Sequence, residues 1–137
     1  MMNKLVSPHT WNLNFGIFLL RIIIGIFLVI HGKEVFDPAK MQEYVKWDSF
    51  TSASFLPYLG KGAEFAAGVM LVLGLLTRVA ALITICTFLF ITFRTGNGKF
   101  WMDDQHPFLF VLFGLLFFFT GPGAMSLDKW LYRKTKK

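Results

Sequence analysis

The chain alternates four long apolar blocks with shorter polar segments. The first, residues 13–30, is apolar almost without interruption, so it shows no narrow hydrophobic stripe. A helix that is hydrophobic all round belongs in an apolar surround. Asn12 stands where an N-cap belongs. From 57 to 93 the sequence is again apolar almost throughout, and a single helix of that length would reach about 55 Å. A hydrocarbon core is only about 30 Å thick, so the block must fold back. "GLLTR" at 74–78 is the natural turn, giving helices over 57–76 and 78–94, with Pro57 tolerated in a first turn. The fourth block runs over 107–125, and its "GPG" at 121–123 ends or bends the helix. "KMQEYVKWDSF" at 40–50 fits a short amphipathic helix lying at the interface, with Tyr44 and Trp47 at headgroup level. "TGNGK" at 95–99 is a turn, and a polar, basic tail closes the chain over 126–137.

Composition turns this pattern into a fold class. In 137 residues, 55% are hydrophobic and 17 are phenylalanine, too many for the small core of a soluble domain of this size. The expectation is one all-α domain spanning 1–137. It is an integral membrane four-helix bundle with a short interfacial helix between the first two spans and the lipid bilayer as its main partner. The first block is expected to be retained: its arginine is central, and no small-x-small cleavage pattern follows.

The net charge of +6 does not point to nucleic acid, because the tail cations Lys129, Arg133, Lys134, Lys136 and Lys137 follow the last apolar block. That is the pattern of a cytoplasmic membrane flank. With four spans, Lys4, Arg78 and the tail cations share one side against Asp128 alone. On the other side Lys33, Lys40, Lys46, Lys61, Arg94 and Lys99 are matched by as many carboxylates. Both termini are therefore expected in the cytoplasm, with the chain multi-pass in the cell (inner) membrane. Cys86 is the one cysteine, which excludes disulfides within the chain and cysteine-based metal sites.

Two formal charges lie well inside spans: Arg21 in the first and Glu64 in the second. Each costs about 2.5–3.5 kcal/mol at a helix centre, and their opposite signs make a buried Arg21–Glu64 ion pair the economical expectation. Gly25 and Gly68 lie one turn on, on the same faces, and with Gly32 would let the helices approach closely. Such a pair either fixes helix register or lines a polar site. His31, Lys33, Arg94 and His106 fall at one membrane level, with Glu64 somewhat deeper. Together with Arg21 they form a candidate ligand site. His31, His106 and Glu64 are metal-ligand types, but no HxxxH or ExxH spacing joins them, so no metal is expected. No nucleophile–base motif or phosphate loop is present, and catalytic residues stay unassigned.

Taken in order, "LLR…G.F..HG.K..F" (residues 19–36), Glu64 with Gly68, "GLLTR.AA" (74–81) and "GPGAMSLD" (121–128) resemble the DoxX family of small four-helix membrane proteins. The resemblance covers roughly residues 13–130. It implies a membrane subunit supporting a redox complex, with a quinone as the candidate cofactor and another protein subunit or a second copy as partner. Arg21, His31, Gly32, Lys33 and Glu64 carry over as the family's polar pattern. The absence of cysteine pairs argues against direct sulfur chemistry. The alternatives are a non-enzymatic scaffold that recruits soluble partners, and a small-solute or proton transporter.

Overall fold

A computed structural model describes residues 7–9 and 11–136; Lys4 and Lys137, counted above in the charge balance, lie outside them. Helix α1 spans Leu13–Gly32 and starts where Asn12 accepts from the Phe15 amide at 3.3 Å. A 3₁₀ turn, Lys33–Phe36, leads to α2, Pro38–Val45. Asp37 caps α2 by accepting from the Ala39 and Lys40 amides, and Pro38 sits where its missing N–H costs nothing. The expected interfacial helix over 40–50 is thus shorter, starts earlier, and is followed by a separate turn at Asp48–Phe50.

Helix α3, Leu56–Leu73, ends at Gly74 in the left-handed region (φ 66°). The Leu75 amide donates to the Met70 carbonyl and the Gly74 amide to Leu71, the paired bonds of a Schellman motif. After it Leu76 is also left-handed, at φ 48°, an unusual state for a branched side chain. Helix α4, Thr77–Phe90, widens into a π-type turn over Ile91–Thr95. Residues 96–104 are held by Asp104, which accepts from the Asn97 and Lys99 amides.

Helix α5, Gln105–Thr120, stops short of the expected 125, because Gly121 turns to φ 75° and begins the 121–126 loop. The tail is not featureless: Ser126 caps a further helix, α6, Leu127–Thr135. Among the described residues, three segments are long and apolar enough to cross a membrane: Leu13–Phe36, Leu56–Leu73 and Thr77–Thr95. The 16-residue α5 is shorter, at about 24 Å.

The four long helices form a bundle of two tight pairs, α1 with α3 and α4 with α5, joined through α3 and α4. Helix α1 touches α5 only lightly. Glycine sets the first pair: a Cβ at Gly25 would meet the Val72 amide, one at Gly68 the Val29 amide, and one at Gly32 the Phe65 backbone. Ile24, Leu28, Ala67 and Leu71 fill that seam; Ala81, Phe88, Phe110 and Phe117 fill the other. Leu19, Ile26, Phe27 and Ile30 of α1 face outward, as do Leu112 and Leu115 of α5. Such a belt of exposed apolar side chains suits acyl chains rather than water. This is an all-helical membrane bundle.

Candidate functional site

The contacts that place Gly25 beside Val72 and Gly32 beside Phe65 fix an antiparallel register. Going back one turn on α1 therefore means going forward one turn on α3. Arg21 falls beside the end of α3, while Glu64 falls just past the end of α1, about twelve residues or about 18 Å away along the axis. The expected Arg21–Glu64 ion pair accordingly does not form among the described residues. Each charge has other partners.

Arg21 is fully buried. Its Nη1 donates to the Leu71 carbonyl at 3.1 Å and its Nη2 to the Met125 carbonyl at 3.0 Å. The Phe18 ring lies 5.6 Å from the guanidinium carbon. A cation at the carbonyl end of a helix is electrostatically favoured, and Arg21 serves α3 in that way. Any side chain at Gly74 would collide with Arg21 Nη1, so that glycine is needed both for its φ and for this approach.

Asp128, the carboxylate whose field Arg21 feels, accepts from the Leu76 amide at 2.6 Å and the Thr77 amide at 2.8 Å. It thereby caps α4 and holds Leu76 in its left-handed state. The Asp128 amide returns a bond to the Gly74 carbonyl, and the Ala124 amide bonds to the Asn14 carbonyl. One end of the bundle is thus closed by Arg21, Gly74, Met125 and Asp128, residues drawn from three of the motifs singled out above.

At the opposite end the charges answer one another through side chains. Glu64, 3% exposed, pairs with Lys61 at 3.3 Å. Lys61 also reaches Glu34 at 3.1 Å, and Glu34 binds Lys40 at 2.8 Å and accepts from the Tyr44 hydroxyl at 2.8 Å. The Lys61 ammonium lies 5.4 Å from the Tyr44 ring centre. Burial, then the bond to Glu34, pushes the Tyr44 hydroxyl up to about 12. The same carboxylate raises the Lys40 ammonium.

Two linked carboxylates and two cations therefore run from the exposed Lys40 to the buried Glu64. They flank a cavity of about 380 Å³ between α3, α4 and the α2 segment. Its walls are mainly Trp47, Phe50, Leu56, Phe90 and Ile91, with Tyr44, Lys61 and Glu64 among its few polar groups; Cys86 and Thr87 line the α4 side.

The remaining candidates divide. The His31 and His106 rings meet edge to face at 6.1 Å between centroids, and both pack on Phe110. Among the described residues they join no third metal-ligating side chain. Lys33 and Arg94 are exposed, and neither lines the cavity. Glu34, Tyr44 and Lys61 were not singled out from sequence. The signal for Lys61 was its place three residues before Glu64, one turn away on the same face. Glu34 and Tyr44 come into reach only through the fold of residues 33–45.

These features define an all-helical membrane protein with two buried polar centres, one closed on backbone and one open to a cavity. The chain belongs to the DoxX family, whose sequence profile matches residues 16–97. A Bacillus subtilis (strain 168) protein, "Putative oxidoreductase CatD", is 27% identical over 124 residues, covering 88% of this chain and 90% of that one. No solved structure matches.

Proposed function

We propose that this DoxX protein is the membrane subunit of a redox assembly, holding a quinone ring in the cavity between α3, α4 and the α2 segment. The observation that carries this reading is the cavity itself. Its 380 Å³ lies within the usual size of small-ligand pockets, and its apolar walls carry a few convergent polar groups. Relatedness to a protein named as an oxidoreductase agrees with it. A bound quinone would supply two-electron, two-proton chemistry. Lys61 has donors for a ring carbonyl, and Glu64 is the titratable group on the wall. Glu34 and Lys61 connect it to the surface, a line along which protons can be handed inward.

His31, Lys33, Arg94 and His106 then belong to the approach, and Arg21 to the scaffold. Glu64→Gln should leave quinone retained per mole of purified protein within about twofold, and lower quinol formation in native membranes at least tenfold, since general acid–base groups contribute about 10²–10⁴. Wild type that retains no quinone, with equal redox activity in Glu64→Gln, would hand the lead to the scaffold reading.

The same reading has four spans crossing the cell membrane (the inner one, where there are two), with both termini in the cytoplasm. The charge balance of the flanks supports it. In a Cys86→Ala background, single cysteines at Asn97 and Lys136 should react with an impermeant thiol reagent from opposite sides; labelling from one side rejects the topology.

A further inference from the structure

A second cavity lies at the Arg21 end, between the start of α4 and α6, with a volume of about 640 Å³. Arg78, Lys129 and Arg133 line it together with Thr77, Asp128 and Tyr132. The cations are not balanced locally. Asp128 is the one carboxylate on the wall, and both its oxygens are engaged by the Leu76 and Thr77 amides. Arg78 spends its Nε on the Phe118 carbonyl at 3.2 Å, which orients the guanidinium. The Thr77 side chain, 1% exposed, has a buried hydroxyl with no hydrogen-bond partner in the protein. Three cations and a tyrosine around one space, with the one carboxylate already engaged, suit a group with one diffuse negative charge and several acceptor oxygens.

The surroundings say where that group comes from. Leu127, Trp130 and Leu131 recur at helical spacing on α6 and are 39%, 58% and 43% exposed. Lys129 and Arg133 lie on another face of the same helix. A short helix with an uncovered apolar stripe beside a basic one lies in a membrane surface, its apolar side in the acyl boundary. Tryptophan suits that depth. The cavity thus opens at the level of lipid headgroups, on the side where the basic tail attracts anionic lipid.

We propose that the cavity framed by Arg78, Lys129 and Arg133 binds the phosphate of an anionic phospholipid, docking α6 on the membrane surface. Arg78 and Lys129 hold the phosphate oxygens, and the acyl chains run past Leu127 and Leu131. This site is independent of the quinone reading, because it shares no residue with the other cavity.

The test uses the full chain in neutral detergent, with native mass spectrometry counting retained lipid. Phosphatidylglycerol, phosphatidylcholine and inorganic phosphate are the three probes. Wild type should retain one phosphatidylglycerol per chain and about tenfold less phosphatidylcholine. Lys129→Gln with Arg133→Gln should lose phosphatidylglycerol about tenfold or more, each cation near the surface contributing roughly fivefold. Neither side chain takes part in the Arg21–Asp128 closure, and an unchanged melting temperature without lipid verifies the fold. Lys134→Gln, whose ammonium lies over Trp130 away from the cavity, should retain lipid as wild type does.

Equal retention of both lipids, or loss in Lys134→Gln as large as in the double variant, overturns the site in favour of general charge. Saturable stabilisation by inorganic phosphate with no preference for phosphatidylglycerol overturns the lipid source and assigns a free phosphate. Should the double variant melt early, Lys129→Gln alone is read in its place, and unchanged retention there overturns the proposal.

Discussion

The two ends of the bundle solve the same problem in different ways. Both bury a charged side chain, Arg21 at one end and Glu64 at the other. Arg21 donates both terminal nitrogens to carbonyls of Leu71 and Met125, groups fixed by the helix and loop that own them, while its buried Nε has no partner among the described residues. Glu64 is satisfied by Lys61, a flexible side chain already shared with Glu34. Backbone partners have one geometry, so the Arg21 end is a closure. Side-chain partners can exchange, so the Glu64 end can admit a ligand beside it. A buried charge by itself marks neither structure nor function; the nature of its partners separates the two.

The sharpest way to break this contrast is to remove Arg21. Arg21→Leu leaves the Met125 carbonyl without a donor and loses the contacts of a fully buried side chain, and should cost about 2–4 kcal/mol, the scale of one orphaned buried acceptor plus imperfect refilling of the space. Arg21→Lys should recover only part, since a point charge cannot serve two carbonyls on divergent elements as a guanidinium fork does. Unfolding of purified protein in mixed micelles reads both, and a loss below about 1 kcal/mol for Arg21→Leu would remove the closure from the account.

A smaller effect is expected from the glycine that seats the flexible end. A Cβ at Gly32 would fall on the backbone of Phe65, which cannot rotate aside. Gly32→Ala should therefore push α1 from α3 next to Glu64 and cost about 1–3 kcal/mol. Gly16→Ala, which would meet open space, is the matched control. Equal stability of the two variants would show that the helices are not held at contact distance.

The smallest effect concerns Tyr44, whose hydroxyl is raised to about 12 by burial and by its bond to Glu34. A group raised above its ordinary value of 10 stabilises the fold fully below pH 10, and that contribution fades as pH climbs through 12. Ultraviolet absorbance titration should show a tyrosinate step near 12 that Tyr44→Phe deletes. Its stability cost should be about 1 kcal/mol, that of one hydrogen bond. A titration unchanged by the substitution would detach Tyr44 from the network.

Much of this architecture is legible in the amino-acid order, because lipid enforces it. A bilayer fixes helix length, so the apolar blocks and the fold-back at 74–78 could be read directly. Asn12 as a cap and Gly121 as a stop follow from local chemistry in the same way. The helix in the tail was less visible, since α6 holds its apolar residues within nine positions and reads as merely basic. The partner of Arg21 was misread for a definite reason. Opposite charges on neighbouring helices suggest pairing, but the antiparallel register that sets Gly25 beside Val72 carries Arg21 one turn beyond, to the end of α3. Carbonyls carry no signature in a sequence, so the groups that satisfy Arg21 were invisible to any search for an opposite charge. The Glu34–Lys61–Glu64 line was hidden because Glu34 and Lys61 were counted only as membrane flanks.

The distance in sequence between Arg21 and its partners also sets an order of events at the ribosome. The Leu71 carbonyl emerges 50 residues after Arg21, and the Met125 carbonyl 104 residues after it. The first long helix therefore gains one carbonyl for its arginine when the second long helix is made, and the other only after the fourth. Membrane entry of that helix and completion of its polar contacts are separate moments. A product cut short before residue 125 carries its buried arginine with one of the two carbonyl partners missing. The guanidinium thus registers that the loop after the fourth long helix has arrived.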